Sequence, residues 1–134
     1  MKKKIEHGFS LIELIVVVTI ISVITVIGVI SFNGAQKKAR DGRRMADLEK
    51  IRIALEMEKQ VGSTYPAALS VLETNERLQL VPQDPKGFGT YPYTGSNYLY
   101  TVYAFMEDAG STNFSGDGTV CGTGGNCNYK VTNP

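Results

Sequence analysis

Gly8-Phe9-Ser10-Leu11-Ile12-Glu13-Leu14 is the stretch whose reading decides the fold. Lys2, Lys3 and Lys4 precede it, and no charged residue occurs from Leu14 to Phe32. At 1.5 Å per residue that uncharged run makes a helix of about 28 Å, enough to cross a bilayer core. Glu13 sits at the mouth of the run. A carboxylate inside lipid costs about 2.5–3.5 kcal/mol at mid-membrane and less near an end, so Glu13 needs a partner. A local partner exists in principle. Ser10-Leu11-Ile12-Glu13 has the spacing of a capping box, with Ser10 as the N-cap and Glu13 at the third helical position.

A secretory signal is cut after its apolar region, at small residues in an A-x-A-like pattern. No such pattern follows Phe32. Residues 2–14, with the apolar run to about residue 32, closely resemble instead the class III signal of type IV pilins and pseudopilins. The resemblance implies cleavage by a prepilin peptidase between Gly8 and Phe9, and N-methylation of the new Phe9 amine. It implies that Glu13, fifth in the mature chain, serves filament assembly. The apolar segment is then retained as an anchor. Lipid bilayer, further copies of the chain, an assembly ATPase and an inner-membrane platform protein are the partners that follow.

The domain organisation expected is a cleaved leader 1–8, a membrane-spanning or filament-core half of a long helix 9–34, its amphipathic half 35–61, and a small head 62–134. The fold class is α+β and pilin-like: one long helix packed on a small antiparallel sheet. Leu48, Ile51 and Leu55 recur at helical spacing with Ala54 alongside. Gly62-Ser63 and Pro66 supply a stop. One helix of about 50 residues, from near Ser10 to Val61, is the reading. Ala35, Ala39, Gly42 and Ala46 form a row of small residues. Either helix propensity or close helix-to-helix approach accounts for it. Many pilins carry a proline late in the membrane helix. This chain has Ile30 in that neighbourhood, so any melting on assembly falls on Gly28 or Gly34.

Lys37 to Arg44 invites a lipid or nucleic-acid reading. Asp41 interrupts it, and Asp47, Glu49, Glu56 and Glu58 follow, so a solvated, mixed-charge helix face with local ion pairs is preferred. In the head, Tyr65–Leu80 reads as a turn and a short helix. Tyr98–Met106 is the best strand, apolar on both faces, as suits a strand covered by a helix on one side and a loop on the other. Asn128–Val131 is a shorter strand. Tyr91–Thr94 is a third, demoted to an edge by Pro92. Pro82-Gln83-Asp84-Pro85-Lys86-Gly87 with Tyr91-Pro92-Tyr93 resembles the P-x-D-P-x-G-x-P-Y stretch of major pseudopilins of type II secretion. Lys86 stands where an aromatic is usual.

Net charge is +1. Removing Lys2, Lys3, Lys4 and Glu6 from 14 basic and 13 acidic residues leaves 11 and 12, a balance of −1. In the head, Arg77, Lys86 and Lys130 are outnumbered by acids, which argues against a nucleic-acid partner. The only histidine, His7, lies in the leader, and no nucleophile–base constellation is visible, so no catalytic residue is assigned and an enzyme is disfavoured. Cys121 and Cys127 enclose too few ligands for a metal site, so a disulfide is favoured in an extracytoplasmic setting. It resembles the C-terminal disulfide loop of many pilins. Asp117, in the polar stretch Asn113–Gly118, is a calcium candidate by resemblance to some pseudopilins, with a plain polar turn as the preferred reading; otherwise no cofactor is expected. Lysine and arginine counts near the span, three before and five after, favour an outside N-terminus. The resemblance and the cysteine pair favour the reverse, and a single-pass inner-membrane protein with a cytoplasmic N-terminus, later a surface filament, is the expectation.

Overall fold

The computed structural model describes residues 8–122 and 125–134, without the side chain of Ile30. Most of the leader, Met1 to His7, and Thr123 and Gly124 of the cysteine loop therefore lie outside the described residues. The chain forms two compact units, Met1–Gln36 and Lys37–Pro134. One helix, α1 (Leu11–Gly62), enters both. It ends as Ser63 takes a left-handed conformation and its N–H bonds to the Lys59 carbonyl at 2.7 Å. The periodic apolar pattern therefore runs unbroken into helix, as no proline interrupts it before Pro66.

In the first unit, the apolar side chains of α1 are exposed all round. An eighteen-residue window has mean hydropathy 2.9, and the helix is long and apolar enough to cross a membrane. Three of its hydroxyls are satisfied by the helix itself. The hydroxyls of Thr19, Ser22 and Thr25 donate to the carbonyls of Val16, Val18 and Ile21 at 2.7–2.8 Å. That back-bonding suits an apolar surrounding, where an unpaired hydroxyl is costly.

The second unit adds α2 (Ser70–Thr74) and strands β1 (Tyr93–Gly95), β2 (Tyr100–Ala104) and β3 (Tyr129–Thr132). The antiparallel sheet has the order β1-β2-β3, with Tyr93 opposite Val102 and Val102 opposite Val131. This is an α+β, pilin-like architecture. The two faces of β2 divide as alternation requires. Tyr100, Val102 and Ala104 join Leu48, Ile51, Ala54 and Leu55 of α1 in the main core. Tyr103, on the other face, joins Cys121, Cys127, Phe105 and Phe114 in a smaller cluster.

Element ends differ from the sequence expectation for local reasons. β2 starts at Tyr100 because Tyr98 and Leu99 are exposed in the turn that the Ser96 N–H closes on the Leu99 carbonyl at 2.8 Å. It stops at Ala104 because the Met106 N–H bonds to the Asn128 side-chain oxygen instead of a strand carbonyl. Pro92 lies just outside β1, where its carbonyl accepts the Tyr103 N–H at 2.9 Å.

Candidate functional site

At the N-terminus, Gly8, Phe9 and Ser10 precede the first turn of α1. The Ser10 N–H donates to Glu13 Oε2 at 3.1 Å, and the Leu14 N–H donates to the Ser10 carbonyl at 3.2 Å. Glu13 thus closes the carboxylate arm of a capping box and draws on the positive end of the helix. One weak bond to an exposed backbone amide does not neutralise a carboxylate. Phe9 is 89% exposed and its apolar neighbours are exposed with it. An exposed carboxylate at the head of an exposed apolar shaft makes a surface poorly suited to water along its length.

A second constellation gathers at the start of the second unit's helix. Arg44 is fully buried. Its guanidinium donates from Nε to Asp84 Oδ2 at 2.6 Å and from Nη2 to Asp84 Oδ1 at 3.1 Å, a bidentate pair. Nη1 donates to Asp41 Oδ1 at 2.7 Å and to Glu107 Oε1 at 3.1 Å. Arg40 grips both oxygens of Glu107 at 2.7 Å, and Lys86 Nζ reaches Glu107 Oε2 at 3.3 Å. Asp41 also accepts the backbone N–H groups of Glu107 and Asp108 at 3.0 and 2.8 Å. Three cations face three carboxylates, so the cluster as a whole is neutral, with Arg40 and Lys86 at its partly solvated rim. Burial opposes ionisation of Arg44, and the three carboxylates overcome it, raising its pKa. The Arg40 guanidinium, with smaller contributions from Arg44 and Lys86, holds the Glu107 carboxyl at about 2.

The reading of Lys37–Arg44 as a solvated face is therefore corrected at Asp41 and Arg44, and downstream at Asp47, all of which are buried. The helix turns these residues toward the sheet with Leu48 and Ile51, and distant carboxylates pair with the arginine there. The solvated reading fits the helix surface farther on, where Glu49 and Arg52 pair at 2.7 Å while remaining partly exposed. The signal was present in the sequence: Arg44, Leu48, Ile51 and Leu55 share one helical row, so Arg44 occupies a core position. Its partner Asp84 lies in the Pro82–Gly87 stretch, where the chain makes a tight turn. That turn explains the residue types. The Gly87 N–H bonds to the Asp84 carbonyl at 3.0 Å around Pro85, and Asp84 Oδ1 accepts the Lys86 N–H at 2.8 Å. Asp first, Pro second and Gly fourth is the type I pattern, and it fixes the carboxylate that meets Arg44.

The prokaryotic N-terminal methylation motif matches residues 3–29. The chain carries the class III signal of type IV pilins and pseudopilins. No curated protein and no solved structure matches the chain. The matched residues include Lys3, Lys4, Gly8, Glu13 and most of the apolar run. The charged constellation at Arg44 lies outside it.

Of the remaining sequence candidates, Cys121 and Cys127 are joined by a disulfide with Cα atoms 5.2 Å apart. The Cys121 N–H bonds to the Gly125 carbonyl, and the Cys127 N–H to the Thr119 carbonyl, so the described flanks of the loop pair antiparallel. The bridge is buried against Tyr103, and Phe114 packs on the same ring. Asp117 is exposed, and its Oδ1 accepts the Thr119 N–H at 3.0 Å. Hydrogen bonding with Thr119 holds its carboxyl below the usual range. No group of three or more His, Cys, Asp or Glu able to hold a metal occurs among the described residues.

Proposed function

We propose that this chain is a structural subunit. A prepilin peptidase cuts it after Gly8, Phe9 is N-methylated, and the retained α1 polymerises into a type IV pilus-like filament. The observation that carries this reading is a 52-residue helix whose first part is apolar, wholly exposed and headed by a single acid. Exposed apolar surface on this scale calls for lipid before assembly and for other copies of the helix after it. In the assembled state Glu13 neutralises the Phe9 amine of a neighbouring subunit. The single-pass precursor keeps its N-terminus in the cytoplasm, where the peptidase acts, and an assembly ATPase with a membrane platform protein extracts it.

A second reading, the major pseudopilin of a type II secretion-like system, draws support from the Asp84–Gly87 turn and its resemblance to the corresponding pseudopilin stretch. Both readings share cleavage and assembly. The test is the variant Glu13→Gln, which keeps the size and the hydrogen-bonding of the cap but loses the charge. A capping box accepts Gln, so the local role predicts normal filaments. Pairing with a neighbour's amine leaves one buried ammonium unmatched per subunit, about 3–5 kcal/mol each time, so filaments fail. The measurement is sheared-filament yield at matched membrane levels, with intact mass reporting loss of residues 1–8 and a methyl on Phe9. Normal yield from the variant, or mature chains that still begin at Met1, rejects the assignment.

A further inference from the structure

We propose that Arg40, Asp41, Arg44, Asp84, Lys86 and Glu107 form an ionic latch. It releases residues 37–46 of α1 as a unit while the rest of the second unit stays folded. The proposal concerns this unit alone and does not depend on the filament reading.

Two different forces hold α1 to its sheet. From Leu48 to Leu55 the attachment is apolar: Leu48, Ile51, Ala54 and Leu55 are buried in the main core. Between Lys37 and Arg44 the residues withdrawn from solvent are Arg40, Asp41 and Arg44, all charged. Ala39, Gly42 and Arg43 are exposed, and the first apolar side chain to reach the core is Met45. The early turns are therefore held by directed bonds to just two places, the Asp84 turn and the Glu107–Asp108 segment after β2.

Directed ionic bonds fail differently from apolar packing. They are lost over a short displacement, and once separated, each charge regains water. Glu107 is the shared element: it accepts from Arg40, Arg44 and Lys86, and its own N–H donates to Asp41. Neutralising its side chain loosens three contacts together. Among the described residues, only Met45, half-buried at the end of this stretch, ties it to the apolar core. Local opening of one contiguous segment below the global unfolding free energy is then expected.

The test is hydrogen exchange, read by mass spectrometry on the full chain in detergent micelles. Glu107→Gln should speed exchange of amides in 37–47 by at least about tenfold, with less than about twofold change in 51–58 and in β2. Arg52→Met removes an exposed ion pair outside the latch, and should leave 37–47 protected. Equal acceleration everywhere, or none in 37–47, overturns the latch. Should Glu107→Gln not fold, the wild type decides. Amides in 37–47 should exchange with a smaller denaturant slope than those in 51–58, since partial opening exposes less surface. Equal slopes overturn the proposal.

Discussion

Replacing Arg44 by methionine should be among the most damaging single changes in the second unit, and the structure says where the cost falls. The variant keeps a long, apolar side chain next to Met45 and Leu48, so lost packing is small. It removes four hydrogen bonds, at 2.6, 2.7, 3.1 and 3.1 Å. Glu107 retains Arg40 and Lys86, and Asp41 retains the two backbone amides of Glu107 and Asp108. Asp84 retains only the Lys86 N–H on its carboxylate. The uncompensated buried charge therefore sits on Asp84. Breaking a buried pair by removing one partner costs about 3–5 kcal/mol. For a unit the size of Lys37–Pro134, each kcal/mol moves the midpoint by about 4–8 °C, so Tm should drop by at least about 12 °C. The assay is thermal unfolding followed by near-ultraviolet circular dichroism, on the full chain in micelles. The double variant Arg44→Met with Asp84→Asn separates charge from packing. Removing the stranded carboxylate should recover half or more of the loss. A single-variant cost under about 1 kcal/mol, the scale of an exposed pair, would refute the reasoning. So would a double variant no more stable than the single.

Acid should weaken the second unit through Glu107. Its folded carboxyl titrates at about 2 against an ordinary 4.5, so its contribution is full above pH 4.5 and is lost as pH falls toward 2. With Arg40 and Lys86 partly solvated, the loss is on the order of 2 kcal/mol, and denaturant midpoints at pH 6 and pH 3 should show it, with little of it left in Glu107→Gln. Reducing the Cys121–Cys127 bridge, or replacing both cysteines by serine, should cost about 2–3 kcal/mol from loop closure, with exchange increasing first around Phe114 and Tyr103. Gly122→Ala should be poorly tolerated. Gly122 has φ +56, and an added Cβ would run into the Phe88 carbonyl, so lower Tm without loss of the disulfide is expected.

Much of the architecture was legible because it rests on periodicity. The uncharged run, the Leu48–Ile51–Leu55 row and the two apolar faces of β2 each have one physical reading, and the structure follows them. The strand ends were less legible, since side-chain amides set them. Asn128 takes the place of a strand residue opposite Met106, donating to its carbonyl and accepting its N–H. The charged seam was missed for another reason. Along one helix, Lys37 to Arg44 looks like an ordinary mixed-charge surface. Only the fold reveals that Asp84 and Glu107, 40 and 63 residues beyond Arg44, come back to meet it. A partner's sequence separation carries no local signal, whereas an arginine in an apolar row does.

The same amide chemistry bears on how copies of the chain can meet. A three-stranded sheet has two edges, and an open edge is a template for pairing with another chain. Here both are partly obstructed. Along β3, the Asn113 side chain donates to the Lys130 carbonyl at 2.8 Å and accepts the Lys130 N–H at 2.9 Å, an imitation of a fourth strand. Beside β1, Tyr93 Oη donates to the Pro66 carbonyl at 2.6 Å, and that carbonyl lies so close to Gly95 that an added Cβ would come within 2.6 Å of it. Pro92, with no N–H, precedes the strand. Edges obstructed in this way disfavour growth by strand addition. The exposed apolar surface left to drive association lies mainly on α1, which is the element behind the Gly8 junction. Under the proposed filament reading, assembly through the helix with the sheet edges obstructed accounts for both arrangements together.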